Sequence, residues 1–229
     1  EGISQAELDA MFAGAVPAES RQSTGVRERR TRVRSHAAPR LILHTHDTIH
    51  DVDREEWDAV LGAPAHCSWD AMAMKERVFG REGNLPEHQW DFRYLRVRDA
   101  SGKLVAATFL TTLLQKDDML SREEVSREVE VRRQTDRYFL TSKVVMVGSC
   151  LSEGNHLWLD RTGPWRDATR LLLSGAQKEV ERAGATGLIV RDLPGHDEEF
   201  DQFMLEEGLA RVPMFDTHTV QLTGQDEAT

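Results

Sequence analysis

The chain has 229 residues, 39% of them hydrophobic and 30% charged, with a formal net charge of -10, which is enough for one full domain with its own core. That acidic balance excludes general nucleic-acid binding, which needs a basic surface against phosphate, and the longest apolar run, around Leu104 to Leu114, is too short to span a bilayer. Two cysteines without CxxC spacing, Cys67 and Cys150, offer neither a disulfide framework nor a zinc pattern, and with no signal-peptide pattern a cytoplasmic location is expected.

In chain order, "ISQAELDAMFAG" places Ile3, Leu8, Met11 and Phe12 near helical spacing, so residues 1–14 are expected to form a short helix ending a preceding domain. Residues 15–39 hold almost no large apolar side chains and most of the seven arginines found between Arg21 and Arg40, which predicts a flexible basic linker. The domain proper is expected over 40–222, with a disordered tail at 223–229. "LILHT" reads as a first strand; "DVDREEWDAVLG" and "SWDAMAMKERVFG" read as helices, the former capped by Asp51 or Asp53 and closed by Gly62. The alternation in "DFRYLRVRDASGKLVAATFLTTLLQK" predicts a hairpin turning at Asp99 to Lys103. An inserted charged helix follows in "SREEVSREVEVRRQ", with Ser121 and Glu124 spaced as a capping box. Then come the strands "YFLTSKVVMVGS" and "HLWLD", the long helix "PWRDATRLLLSGAQKEVERAG", the strand "TGLIVRDLP", the helix "DEEFDQFMLEEG" and closing strands in "ARVPMFDTHTVQL". This order predicts an α/β (α+β) fold, a central mixed sheet flanked by helices with a helical insert.

The order resembles the GNAT acyltransferase fold over roughly residues 41–222. "HLWLD", the helix from Pro164, "GLIVRD" and "EEFDQFMLEEGLARVPMF" are similar to that family's cofactor strand, cofactor helix, splayed strand and final helix-strand unit. "WDFRYLRVRD", "KDDML", "GSCLSEGNHLWLDR" and "RDLP" resemble a GNAT-like branch fused behind pyridoxal-phosphate enzymes of the α-oxoamine synthase type. The resemblance implies acyl transfer from acetyl-CoA or another acyl-CoA to an amine or amino-acid-derived acceptor, in a module of a bifunctional enzyme. FemX-like aminoacyl transfer and a non-catalytic interaction module are the alternatives.

Family members carry [RQ]-x-x-G-x-[GA] at the turn into the cofactor helix, so that backbone N–H groups meet the pyrophosphate. Here that pattern falls on Gly163 to Ala168, and only Ala168 fits. The resemblance therefore implies a cofactor site of Arg161, Thr162, Gly163, Trp165, Arg166 and Ala168, in which the two arginines replace missing N–H donors by charge-assisted bonds. Otherwise the turn is only a helix start, a role for which Gly-Pro is well suited. For general-base work beside the central strands, Glu153 and His156 are the candidates; otherwise they are a loop carboxylate and a strand-edge imidazole. Asp117 and Asp118, at the end of a long strand, could hold a substrate ammonium or simply cap and turn the chain. Cys150 reads as an inert thiol. His44 and His46 share a strand face but lack a completing ligand set, so no metal is expected.

Overall fold

The computed structural model describes residues 40–63, 65–80, 83–152, 154, 156–193 and 197–212. The expected helix at 1–14, the linker, most of the closing-strand segment and the tail lie outside these residues.

The strands are β1 (Ile42–His46), β2 (Asp91–Arg98), β3 (Leu104–Lys116), β4 (Thr141–Val147), β5 (Leu157–Leu159) and β6 (Gly187–Val190). The helices are α1 (Arg54–Leu61), α2 (Trp69–Phe79), α3 (Glu123–Arg133), α4 (Trp165–Ala183) and α5 (Glu198–Glu206). One sheet runs β1-β2-β3-β4-β6, antiparallel except for the parallel β4–β6 pair, and β5 pairs with β3. This is the expected mixed α/β architecture, a mostly antiparallel sheet with helices on both faces.

The first ten residues of β3 are buried on both sides, because the strand lies at the centre of the sheet between two helical layers. On one face Trp57 and Leu61 of α1 and Met72 of α2 pack over Phe92, Tyr94, Phe109 and Met146. Against the other face α4 lays Ala168, Leu172, Ala176 and Val180 on Leu95, Val97, Leu110 and Val147. Gly175 allows that approach: a Cβ there would sit 2.9 Å from the Leu43 side chain. The end of α5 closes a third cluster of Trp165, Phe200, Phe203 and Met204.

Several boundaries moved for local reasons. Asp53, not Asp51, caps α1, its side chain accepting from the Glu56 amide. The capping box does not form: Ser121 closes a turn onto the Asp118 carbonyl, and α3 starts at Glu123 behind Arg122. Pro164 lies just outside α4, whose first helical residue is Trp165.

β4 and β5 are two parts of one interrupted line. Leu110 faces Val147 and Thr108 faces Leu157, so the partner line advances ten residues while β3 advances two, an excursion of eight. It begins at Gly148, whose amide donates to the Phe109 carbonyl, and ends at His156, whose carbonyl accepts from Thr108 Oγ1. β6 follows β4 only as far as the Val147–Val190 pair. Beyond it the sheet splits, with β5 staying on β3 and the chain after β6 diverging.

Candidate functional site: the split edge of the sheet

The split holds a narrow apolar slot whose cavity is only about 10 Å³, room for about one water, lined by Thr108, Leu110, Val147, Leu157, Leu172 and Val190 among others. The turn into α4 lies at one end of β5 and the strand interruption at the other.

At the turn, the Asp160 carboxylate accepts from the Thr162 amide, the Thr162 hydroxyl and, at 2.6 Å, Lys103 Nζ. Lys103 first, and then Thr162, hold its carboxyl down to about 2. The Gly163 amide donates to the Asp160 carbonyl and the Trp165 amide to the Gly163 carbonyl. Three N–H groups of the expected cradle are thus satisfied within the turn. Arg161 pairs with Asp197 and stacks 4.0 Å from the Trp165 ring centroid. Arg166 donates to Glu199 at 2.7 Å and lies 4.9 Å from the same ring. Arg170, one turn on, donates to Glu207 at 2.8 Å and lies over Phe203. The arginines of the turn therefore clasp α5 through acids and aromatic faces, while Ala168 is buried under the sheet.

At the interruption, His156 is 1% exposed, with its ring edge-on to Phe109 at a centroid distance of 6.4 Å. Among the described residues neither ring nitrogen has a hydrogen-bond partner. Burial drives its pKa down to about 4, against the pull of the Asp192 carboxylate and the Gly154 carbonyl, with His66 and Arg191 also disfavouring the charged ring. It is neutral at physiological pH and able to accept a proton. Lys75 Nζ lies 5.7 Å from the Phe109 ring centroid and donates to the His66 carbonyl at 2.7 Å. Burial lowers the Lys75 pKa. Glu153, the other candidate base, lies outside the described residues.

The two aspartates sit elsewhere. Asp118 is 5% exposed and its carboxylate accepts from Arg133 Nη2 at 2.7 Å, while Arg133 also reaches the Phe139 and Leu140 carbonyls. Burial alone would raise the Asp118 carboxyl, but Arg133 holds it below its ordinary value. Asp117 accepts from Ser142 Oγ at 2.7 Å. Asp118 fastens the inserted helix and Asp117 ties the end of β3 to β4, both about 25 Å along the strand from the level of Phe109 at the usual rise per residue. The structure thus brings His156 and the α4 turn to one split in the sheet, and leaves Asp117 and Asp118 apart from it.

Cys150 is half-buried, its sulfur 3.8 Å from that of Met146, and burial pushes its thiol up. His46 Nε2 meets Arg96 Nη2 at 2.8 Å, and a guanidinium so close disfavours a metal cation. Sequence reasoning missed Lys75, Arg191 and Asp192. Only the "RD" dipeptide after an apolar run pointed to the last two.

No family model matches the chain, and no curated protein matches it. Among solved structures it is similar to an aminoglycoside N-acetyltransferase in complex with CoA, at 11% identity over 82% of this chain and 99% of that one, with a TM-score of 0.46. It is also similar to a ribosomal-protein-alanine N-acetyltransferase from Brucella melitensis biovar Abortus 2308, at 13% identity, 80% and 99% coverage and a TM-score of 0.42. An aminoglycoside acetyltransferase from an uncultured soil metagenomic sample matches at 14% identity, 80% and 99% coverage and a TM-score of 0.45. Among the described residues no helix is long and apolar enough to cross a membrane.

Proposed function

We propose that the chain is a GNAT-like N-acyltransferase that moves an acyl group from an acyl-CoA, such as acetyl-CoA, to an amine or amino-acid-derived acceptor. The observation that carries this reading is the split itself: an interrupted strand parting from its parallel neighbour, an apolar slot between them and a helix starting at the mouth. The slot's apolar lining is compatible with the aliphatic arm of a thioester, for which the slot would have to open. Arg161 and Arg166, beside the positive end of α4, suit its anionic head.

The acceptor amine attacks the thioester carbonyl, forming the C–N bond, and the C–S bond breaks to release the thiol. His156 takes the proton that the amine nitrogen sheds, a role that a neutral buried imidazole can fill. Replacing His156 by Gln is expected to lower kcat about a hundredfold, within the usual range for a general base. The test is mass spectrometry of the protein with a panel of acyl-CoAs and amines, read for retained ligand and for turnover. Absence of both would overturn the reading and favour the non-catalytic module, which the engaged arginines and the narrow slot already support. The net charge of -10 speaks against a FemX-like use of aminoacyl-tRNA. Fusion to a pyridoxal-phosphate enzyme rests on the resemblance of the quoted motifs alone.

On this reading Arg161 and Arg166 exchange Asp197 and Glu199 for phosphate when the donor binds. Neutralising those acids with Asp197→Asn and Glu199→Gln should tighten CoA binding several-fold, measured by calorimetry, because the competing carboxylates are gone while Asn still caps α5. Arg161→Ala with Arg166→Ala should remove the CoA-induced rise in Tm. It should also lower the ligand-free stability by about 1 to 2 kcal/mol, since both side chains stack on aromatic rings and stacked cations are worth more than solvated ones.

A further inference from the structure

Lys75 of α2 is 4% exposed, and its Nζ meets the His66 carbonyl at 2.7 Å, the Met72 sulfur at 3.9 Å and the Phe109 ring, whose centroid is 5.7 Å away. Among the described residues no carboxylate pairs with it. Lysines buried this far are almost always paired, because an unpaired charge is expensive to take out of water. The bond to His66 ties α2 to the turn at Ala65–Cys67, but a neutral amide side chain could hold that carbonyl without burying a charge. The tether alone does not account for the ammonium.

The same face of the sheet carries two more buried polar side chains. The His156 ring meets Phe109 edge-on at 6.4 Å, and both its nitrogens lack a hydrogen-bond partner among the described residues. Thr111 lies two residues beyond Phe109 on β3, between Phe92 and Met146 of the core under α1 and α2, and its buried Oγ1 is likewise unpartnered. Buried polar atoms are rarely left so. An ammonium, a hydroxyl and a neutral imidazole are thus gathered around one phenyl ring. An amino acid presents the complementary groups, a carboxylate for the ammonium and an amine for the imidazole.

Resting on the reading of the chain as an N-acyltransferase with His156 as its base, we propose that Lys75 determines acceptor specificity, its ammonium binding the carboxylate of an amino acid whose amine lies at His156. The carboxylate takes the place of the His66 carbonyl on Nζ, which frees the Ala65–Cys67 turn to make room for the ligand. Lys75 Nζ and the His156 ring lie 5.7 Å and 6.4 Å from the same ring centroid, near enough for one small molecule to touch both. The C–N bond forms as the C–S bond breaks. The amine proton passes to His156 and from it to the departing thiolate, and the products are an N-acyl amino acid and a free thiol. Carboxylate and ammonium keep their charges throughout.

The test uses the whole chain, wild type and Lys75→Met, with L-α-amino acids and their amides as probes and acetyl-CoA as donor. The Lys75 Nζ signal is followed by 15N NMR as each probe is added without donor, and kcat and KM are measured by thiol release. In the wild type the acids should move the Nζ signal and the amides should not. There kcat/KM should favour acid over amide by about tenfold to a hundredfold, the usual worth of a hydrogen bond to a charged group. That preference should lie mainly in KM and collapse in Lys75→Met. An Nζ signal unmoved by every acid overturns the inference, whatever Lys75→Met does to folding or activity. A wild type that turns over acids and amides equally overturns it too, as does a Lys75→Met protein that keeps the preference. Turnover of no probe, with acids still moving the Nζ signal, supports the carboxylate site and overturns instead the acyltransferase reading.

Discussion

Lowering the pH from 7 to 4 should remove about 3 kcal/mol of folding stability through His156 alone. The imidazole has its ordinary value near 6.5 when unfolded and about 4 in the fold, because burial disfavours the charged ring. Between these values the unfolded chain binds more protons than the folded one, so stability rises with pH. The contribution is complete above pH 6.5 and is lost as the pH falls towards 4. At 1.36 kcal/mol per pKa unit, the gap gives the figure quoted. His46, whose pKa is also lowered, first by burial and then by Arg96, acts in the same direction. Paired carboxylates contribute their own acid loss, so the measurement is a comparison: urea unfolding of the wild type and His156→Gln at pH 7, 5.5 and 4. The wild type should lose more stability than the variant on acidification. Parallel losses would show that the ring is not buried neutral.

The architecture was legible because each element carries its own periodicity. Alternation marks β2 and β3, helical spacing marks α1, α2 and α4, and Asp99 to Lys103 turns the hairpin as read, the Asp99 amide donating to the Lys103 carbonyl. What local pattern could not reveal is register. "YFLTSKVVMVGS" and "HLWLD" look like two strands, and only pairing against β3 shows one line with an eight-residue excursion. The candidate site divided along the same lines. Arg161 and Arg166 were legible as charges at a helix start. Their partners Asp197 and Glu199 lie 36 and 33 residues on, so the clasp was not legible. Asp118 was legible as a carboxylate at a strand end, but its partner Arg133 lies on the inserted helix. Asp192 was hidden for a backbone reason: "TGLIVRDLP" reads as one buried strand, whereas the strand stops at Val190 and Asp192 turns left-handed.

The interruption that makes the site also makes one glycine indispensable, and Gly148→Ala should destabilise the protein by about 3 kcal/mol or more. Two separate costs combine. Gly148 has φ +89°, which an L side chain rarely adopts, and holding alanine there costs about 1 to 2 kcal/mol. The new Cβ would also lie 2.8 Å from His156 Cδ2 and 3.0 Å from Nε2. The ring cannot easily yield, since its backbone carbonyl is held by Thr108 and Phe109 packs against its edge. Either the ring leaves its pocket or the Gly148–Phe109 backbone bond breaks, and each is a core disruption of the larger kind. A double-mutant cycle separates the two costs. In a His156→Ala background the clash is gone and only the backbone strain remains, so Gly148→Ala should then cost about 1 to 2 kcal/mol less than in the wild type. Denaturant unfolding of the four proteins gives the coupling directly. Equal costs in both backgrounds would show that the ring does not rest on Gly148, and would detach His156 from the point where the sheet divides.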